Sequence, residues 1–265
     1  MDYRFLISIG IFVLIVSWEW WRPLRLEDKN KFIRWVTNIG IGLTNIVLIK
    51  IFAAGILITL SNSITEQQIG LIHWLNLSSL LHPSIIFIIS LLLLDFLIYV
   101  QHVASHHIPL LWRLHKVHHT DKTLDATTAI RFHPLEIFLS LGYKAVLIML
   151  FGFDMYSVIL FEILLNGSAI FNHGNINLPK KLDAWLKKVI ITPNVHFIHH
   201  STVSTETNSN YGFFLIWWDK IFSTYQADAH QPVSRLELGL EEHKKTISYF
   251  SLLLLPFKST KKNKS

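Results

Sequence analysis

The chain has 265 residues, of which 51% are hydrophobic and 16% charged, with a formal net charge of +6 and no cysteine. So little charge, against roughly 25% in soluble domains, points to a bilayer before a soluble core. The missing cysteines exclude disulfides, thiolate metal ligands, iron–sulfur clusters and a cysteine nucleophile. No nucleic-acid partner is expected from the positive balance, because the lysines and arginines mostly flank apolar runs, where anionic lipid headgroups would hold them.

In chain order, residues 5–18 form an uninterrupted apolar run, continued by Trp20 and Trp21 as an interfacial aromatic pair. "EWWRPLR" follows with no small-residue cleavage site, so this run reads as a first span and not a signal peptide. Residues 36–60 make a second run with Lys50 as an interior charge, and residues 85–101 a third with Asp95 inside it. Residues 135–171 hold two shorter stretches broken around "FGFD" at 151–154, expected to form a tilted hairpin that enters the bilayer and returns. Loop charge sets the orientation. Arg22, Arg25, Lys29, Lys31 and Arg34 lie between the first two runs, whereas 61–84 has no lysine or arginine. The 22–35 loop is therefore expected in the cytoplasm and 61–84 outside, with everything after the third run returned to the cytoplasm; the basic tail "KSTKKNKS" agrees. The expected fold is all-α: an integral membrane bundle of about four spans or re-entrant hairpins, capped by a cytoplasmic helical layer. Residues 1–84 supply N-terminal spans and 85–265 the working domain.

Fifteen histidines are many for this length. His102 and His106, four apart, share a helix face at the end of the third run. "WRLHKVHHTD" (112–121) and "TPNVHFIHHS" (192–201) each place a histidine, two spacers and a histidine pair, giving His115, His118 and His119, then His196, His199 and His200. Thr192 followed by Pro193 reads as an N-cap with proline at the first helical position, which puts the last trio in the first turns of a helix. Eight imidazoles exceed what one tetrahedral or six-coordinate ion can use, so two metals sharing them is the economical arrangement. Imidazole suits iron, zinc and copper alike. No carboxylate lies inside the clusters, which weakens a two-metal hydrolase with bridging acids.

These three histidine boxes, with "LWRLHKVHHTDKTLDATTAIRFHPLE" (111–136), "FNHGNINLP" (171–179), "ETNSNYGFFLIWWDKIFSTY" (206–225) and "LLLLPF" (252–257), resemble the fatty acid hydroxylase/sterol desaturase superfamily of integral membrane oxygenases. The likeness is to its bacterial sterol desaturase-like branch and runs from about residue 85 to the C-terminus. It implies two non-haem iron ions, with zinc as a possible occupant in purified protein, and dioxygen as co-substrate. It further implies hydroxylation or desaturation of a lipid, at a bacterial inner membrane. Carried over by position, it makes His102, His106, His115, His118, His119, His196, His199 and His200 metal ligands and adds His173 in "FNHGN". His107, a neighbour of His106 that faces another way on the helix, is expected to support the ligands from outside, and His133, before Pro134, is expected to cap a helix beside them. Phe197 departs from the pattern, since a basic residue is expected there in this branch.

Asp95 precedes His102 by two helical turns and is expected to accept the second N–H of a ligand histidine. Asn172, Asn194 and Asn210 sit near the boxes as outer supports or turn residues, and "WWDK" at 217–220 reads as an aromatic belt on headgroups. No dinucleotide or haem motif is present, so electrons must come from a separate ferredoxin or cytochrome with its NAD(P)H reductase. Two rivals make different demands. A membrane zinc-dependent lipid hydrolase needs a carboxylate base near the metal and no oxygen. A metal transporter needs polar residues at mid-membrane across several spans, whereas these histidines gather at one side.

Overall fold

The computed structural model describes residues 3–26, 31–53, 55–243 and 246–258; the basic tail after Lys258 and Lys29, both of which bear on the orientation, lie outside them. Among the described residues the chain is helical, with isolated β-bridges in place of a sheet. Five helices are long and apolar enough to cross a membrane: α1 (Tyr3–Trp21), α2 (Lys31–Phe52), α6 (Pro83–His107), α8 (Pro134–Phe151) and α9 (Met155–His173). The chain is a multi-pass integral membrane protein.

Two expectations change. The 36–60 run is two helices, because α2 ends at Phe52 and α3 (Ile56–Glu66) begins after Gly55, whose φ of +71° turns the chain. At 11 residues α3 is too short to cross and instead packs along α8 and α9. Lys50 consequently lies exposed in the last turn of α2, where a cation suits the helix C-terminus. Residues 135–171 form two full-length helices, not short re-entrant arms: α8 and α9 have 18 and 19 residues. The "FGFD" break is real. Gly152 adopts φ +78°, and Asp154 caps α9 by accepting from the backbone N–H groups of Tyr156 and Ser157.

Short helices α4 (Leu71–Trp74) and α5 (Leu77–Leu80) follow α3, and Gly70 here meets Gly152 so closely that a Cβ at Gly70 would lie 2.3 Å from the Gly152 nitrogen. That contact marks one end of the bundle. At the other end α1 finishes, α2 starts, α6 finishes, α8 starts and α9 finishes. The bundle therefore alternates direction so that residues 22–26, after α1, share an end with every histidine box.

Proline places the turns at that end. Pro109 forces Ile108 into an extended conformation (φ −90°, ψ 115°), so α6 stops and α7 (Pro109–His119) folds back across its terminus. Pro134 opens α8, with His133 as N-cap. The cap continues through α10 (Lys180–Leu186), α11 (Pro193–His199), α12 (Ser204–Thr207), α13 (Trp217–Ile221) and α14 (Tyr249–Leu254). Pro193 does begin α11, but Thr192 makes no side-chain cap; its hydroxyl donates to Asp183 at 2.7 Å, tying α11 to α10.

A buried polar network pins α7 to α2. Asp121 accepts from Arg34, from Asn38 at 2.9 Å and from Thr128 at 2.8 Å, while Arg131 donates to Asn38 and Thr120. Burial pushes the Asp121 carboxyl up, but Arg34 and Arg131 outweigh it and hold it below the ordinary range. Asp125, paired with Arg34, caps the 3-10 turn Ala126–Ile130. Phe197 is fully buried among Leu124, Ile198, Leu236 and Leu238, so its position is core and offers no contact to a headgroup.

Candidate metal centre

Nine imidazoles converge at the cap end and separate into two groups. His102, His106, His115, His119 and His199 form one, and His118, His173, His196 and His200 the other; within each, the available nitrogens lie within 4.8 Å of one another. The repeated pattern now has a geometric reason. In α7 the i,i+4 pair His115/His119 serves the first group and His118 the second, and in α11 the i,i+4 pair His196/His200 serves the second and His199 the first. Residues four apart share a helix face while i+3 is rotated from i+4 by about 100°. Each box thus gives two rings to one centre and one to the other. α6 completes the first group with His102 and His106, and α9 completes the second with His173. The groups abut, since His119 and His200 stack at 4.3 Å.

The outer hydrogen bonds fix which nitrogen faces inward. His102 Nδ1 lies 2.7 Å from the Tyr211 carbonyl, His173 Nδ1 2.6 Å from that of Ala169, and His199 Nδ1 2.7 Å from that of Ser209. His115 Nδ1 lies 2.6 Å from Glu136 Oε1. Carbonyls and carboxylates accept, so these four Nδ1 atoms carry the proton and each Nε2 presents a lone pair. Yet His102 and His115 set their Nε2 atoms 3.2 Å apart. Two lone pairs at that distance repel unless a cation lies beside them. Two nitrogens each about 2.1 Å from one ion stand roughly 3.0–3.4 Å apart at right or tetrahedral angles. His173 Nε2 similarly faces His118 Nε2 at 2.9 Å and His196 Nε2 at 3.0 Å.

The remaining nitrogens point the same way. Both ring nitrogens of His106, His119 and His200, Nδ1 of His118 and His196, and Nε2 of His199 are buried without a hydrogen-bond partner. Leaving one such group unpaired costs about 1–3 kcal/mol; a metal ion accepts one nitrogen per ring, so it would satisfy His199 Nε2 and one nitrogen each of His106, His119 and His200, beside the Nε2 atoms that His118 and His196 turn toward His173. Burial holds His118, His119, His196 and His200 well below the ordinary imidazole range and lowers His199 to about 3, so these rings are neutral, the form that ligates. The residues fit a metal pair.

Other expected residues fall into place or are corrected. His133 is the cap of α8, accepting from Leu135 N–H, and does not face the cage. His107 contacts the Tyr211 hydroxyl at 3.1 Å, outside both groups. Asp95 does not touch a histidine: its Oδ2 accepts from Leu215 N–H at 3.2 Å and Trp218 Nε1 at 2.8 Å. It acts one step away, clamping the segment whose Tyr211 carbonyl orients His102. Asn172 likewise donates to the Phe213 carbonyl at 2.6 Å, and Asn210, at φ +52°, bridges Val195 and Gln226. Asn194 is half-buried and makes no side-chain hydrogen bond among the described residues. Within "WWDK", Trp217 is exposed as a belt residue would be, but Trp218 turns in to Asp95.

Two acids were not foreseen. Glu136 orients His115 from 21 residues away. Asp219 is fully buried and accepts from the N–H groups of Tyr211 and Gly212 at 2.7 and 2.8 Å, closing the loop that supplies the Ser209 and Tyr211 carbonyls. The sequence signal for Glu136 is its place one turn into α8, directly after the turn that follows the first HxxHH box.

A cavity of about 390 Å³ opens from the first group into the helical bundle, walled by His102, His115, Glu136 and Phe132 at the cage and by the apolar flanks of α2, α6, α8 and α9 beyond it.

The Fatty acid hydroxylase family model matches residues 87–224, more than half of the chain. Alkylglycerol monooxygenase of Homo sapiens is 28% identical over 144 residues, covering 52% of this chain and 30% of that protein. Ornithine lipid hydroxylase OlsE of Rhizobium tropici is 26% identical over 138 residues, covering 52% and 41%. Cholesterol 25-hydroxylase of Homo sapiens is 26% identical over 168 residues, covering 59% and 60%. The chain thus spans less than two thirds of the length of these relatives. No solved structure matches it.

Proposed function

The chain belongs to the fatty acid hydroxylase family, and on that premise we propose that it is a membrane-bound di-iron oxygenase that hydroxylates a C–H bond of a lipid. The observation that carries the reading is the nine-imidazole cage with inward lone pairs at one end of a cavity that runs among the long apolar helices. The relatives are named as hydroxylases and monooxygenases of lipids, which favours hydroxylation over desaturation and lends nothing to a hydrolase.

In this reading His102, His106, His115, His119 and His199 hold one iron and His118, His173, His196 and His200 the other. Iron bound there would supply dioxygen activation and oxidation of an unactivated C–H bond. The protein does the rest. Glu136 and the carbonyls of Ala169, Ser209 and Tyr211 fix ring orientation and tautomer. Phe132, stacked on His118 at 4.3 Å, and Phe213, tilted against His102 at 4.9 Å, keep the cage dry on its cavity side. Residues 85–265 form the catalytic unit and 1–84 complete the cavity wall. On this reading the cage faces the cytoplasm of a bacterial inner membrane, an orientation supported by the excess of basic residues between the first two apolar runs. Electrons come from a separate ferredoxin or cytochrome, for which Lys180, Lys181, Lys188 and Lys220 offer an exposed basic face on the cap.

Comparative lipid mass spectrometry of cells making the wild-type chain or His118→Ala tests this. The expected result is a lipid heavier by one oxygen only with the wild type; identical lipid profiles refute it.

A further inference from the structure

The cavity does not end in hydrocarbon. At the end away from the cage its wall carries Arg4 on α1, Lys144 on α8 and Glu162 on α9. Glu162 receives both cations: Arg4 through one oxygen, and Lys144 at 3.0 Å through the other. Glu162 and Lys144 lie seven residues in from the α8–α9 turn, about 10 Å into the spanning part of the bundle. Ionisable groups at such depth are costly and mark a function by default. Their side chains keep 14–21% of their surface accessible, so they face the cavity and are not sealed in packing.

The hydrogen-bonding chemistry of Lys144 says what kind of group suits this end of the cavity. An ammonium has three donors and no acceptor, and Lys144 places one of them on Glu162. Its other two donors are at the cavity wall, close to apolar Leu141 and Leu165, where acceptor oxygens of an occupant would meet them. The wall between this cluster and the cage is mainly aliphatic, as an alkyl chain requires.

We infer that Lys144, supported by Glu162 and Arg4, receives the oxygen-bearing polar end of a single-chain lipid that lies in this cavity with its chain directed at the cage. Resting on the lipid-oxidising reading for its last step, the inference also sets a register. Lys144 and Glu136 are eight residues apart on α8, about 12 Å along the helix. An extended chain advances roughly 1.25 Å per carbon for 1.52 Å bonds, so the carbon presented to the His115 edge lies about nine or ten bonds from the polar end.

The test is direct binding to the full chain in lipid nanodiscs, which needs no turnover. The probes are hexadecanoate, hexadecane and hexadecyltrimethylammonium, with wild type, Lys144→Met and Lys144→Arg. Wild type should bind hexadecanoate best and the cationic amphiphile worst. Lys144→Met should lose about tenfold or more for hexadecanoate and nothing for hexadecane, and Lys144→Arg should keep the preference. Equal loss for both probes in Lys144→Met, no headgroup preference in the wild type, or no binding of any probe overturns the inference. Should Lys144→Met fail to fold, the order of the three probes on the wild type and Lys144→Arg still decides it. Retained headgroup-selective binding in a chain that oxidises no lipid would sink the proposed function and leave this site standing.

Discussion

Glu136→Gln isolates one carboxylate that reaches into the cage from outside it. The substitution keeps shape and an acceptor oxygen but removes the charge that His115 Nδ1–H meets at 2.6 Å. His115 belongs only to the five-histidine group, so the effect should fall on one ion. Loss of such an outer partner weakens metal binding by about 10–100-fold, or about 1.4–2.7 kcal/mol. That agrees with the margin of a charge-assisted over a neutral hydrogen bond. Wild type and variant would be loaded anaerobically with ferrous iron and titrated with a competing chelator while retained iron is counted. One ion should leave at a correspondingly lower chelator strength, and the other should leave where it does in the wild type. If both ions shift together, or neither does, the division of the rings into two centres is wrong.

Removing rings from each centre should act separately: His119→Ala should lower iron by about one ion per chain from the five-histidine group and His118→Ala by about one from the four-histidine group, read by metal analysis with chelator profiles that differ between the two. Acid should loosen the metal-free fold. Burial keeps His118, His119, His196 and His200 below the ordinary range and His199 at about 3. Below about pH 6.5 the unfolded chain therefore binds more protons than the folded one. Stability present at neutral pH is then lost as pH falls through that value, and thermal unfolding of metal-free protein from pH 8 to 5 should show it; a flat profile counts against neutral buried rings. Asp219→Ala strands the N–H groups of Tyr211 and Gly212 and should cost about 2–6 kcal/mol in denaturant unfolding. Gly70→Ala, with a Cβ 2.3 Å from the Gly152 nitrogen and φ of +99°, should lower the thermal midpoint while leaving metal content per folded chain unchanged.

The sequence exposed the ligands more readily than their partners. Helical spacing brought the rings of each box to one end of the bundle because i,i+3 and i,i+4 relations are local and survive any packing. The division between two centres depends on how α7 and α11 cross, which no local pattern contains. Asp95 shows the limit: it lies two turns before His102, but the Leu215 N–H and the Trp218 indole take its carboxylate. Glu136 and Asp219 escaped because their partners lie 21 and 7–8 residues away across turns, where helical periodicity carries no information. Hydropathy likewise merged α2 and α3, since a turn at Gly55 interrupts the backbone without interrupting the apolar run. It understates α8 and α9, whose polar residues, the half-buried Lys144 and Glu162 among them, dilute the signal while lining the cavity.

The central claim is a two-ion centre held by nine imidazoles, eight of them buried and His106 half-buried. X-ray absorption at the iron edge on the purified chain, with metal counted on the same sample, tests it most directly. The account predicts two irons per chain in a shell dominated by imidazole nitrogen. A single ion per chain, or an oxygen-dominated shell, would contradict it.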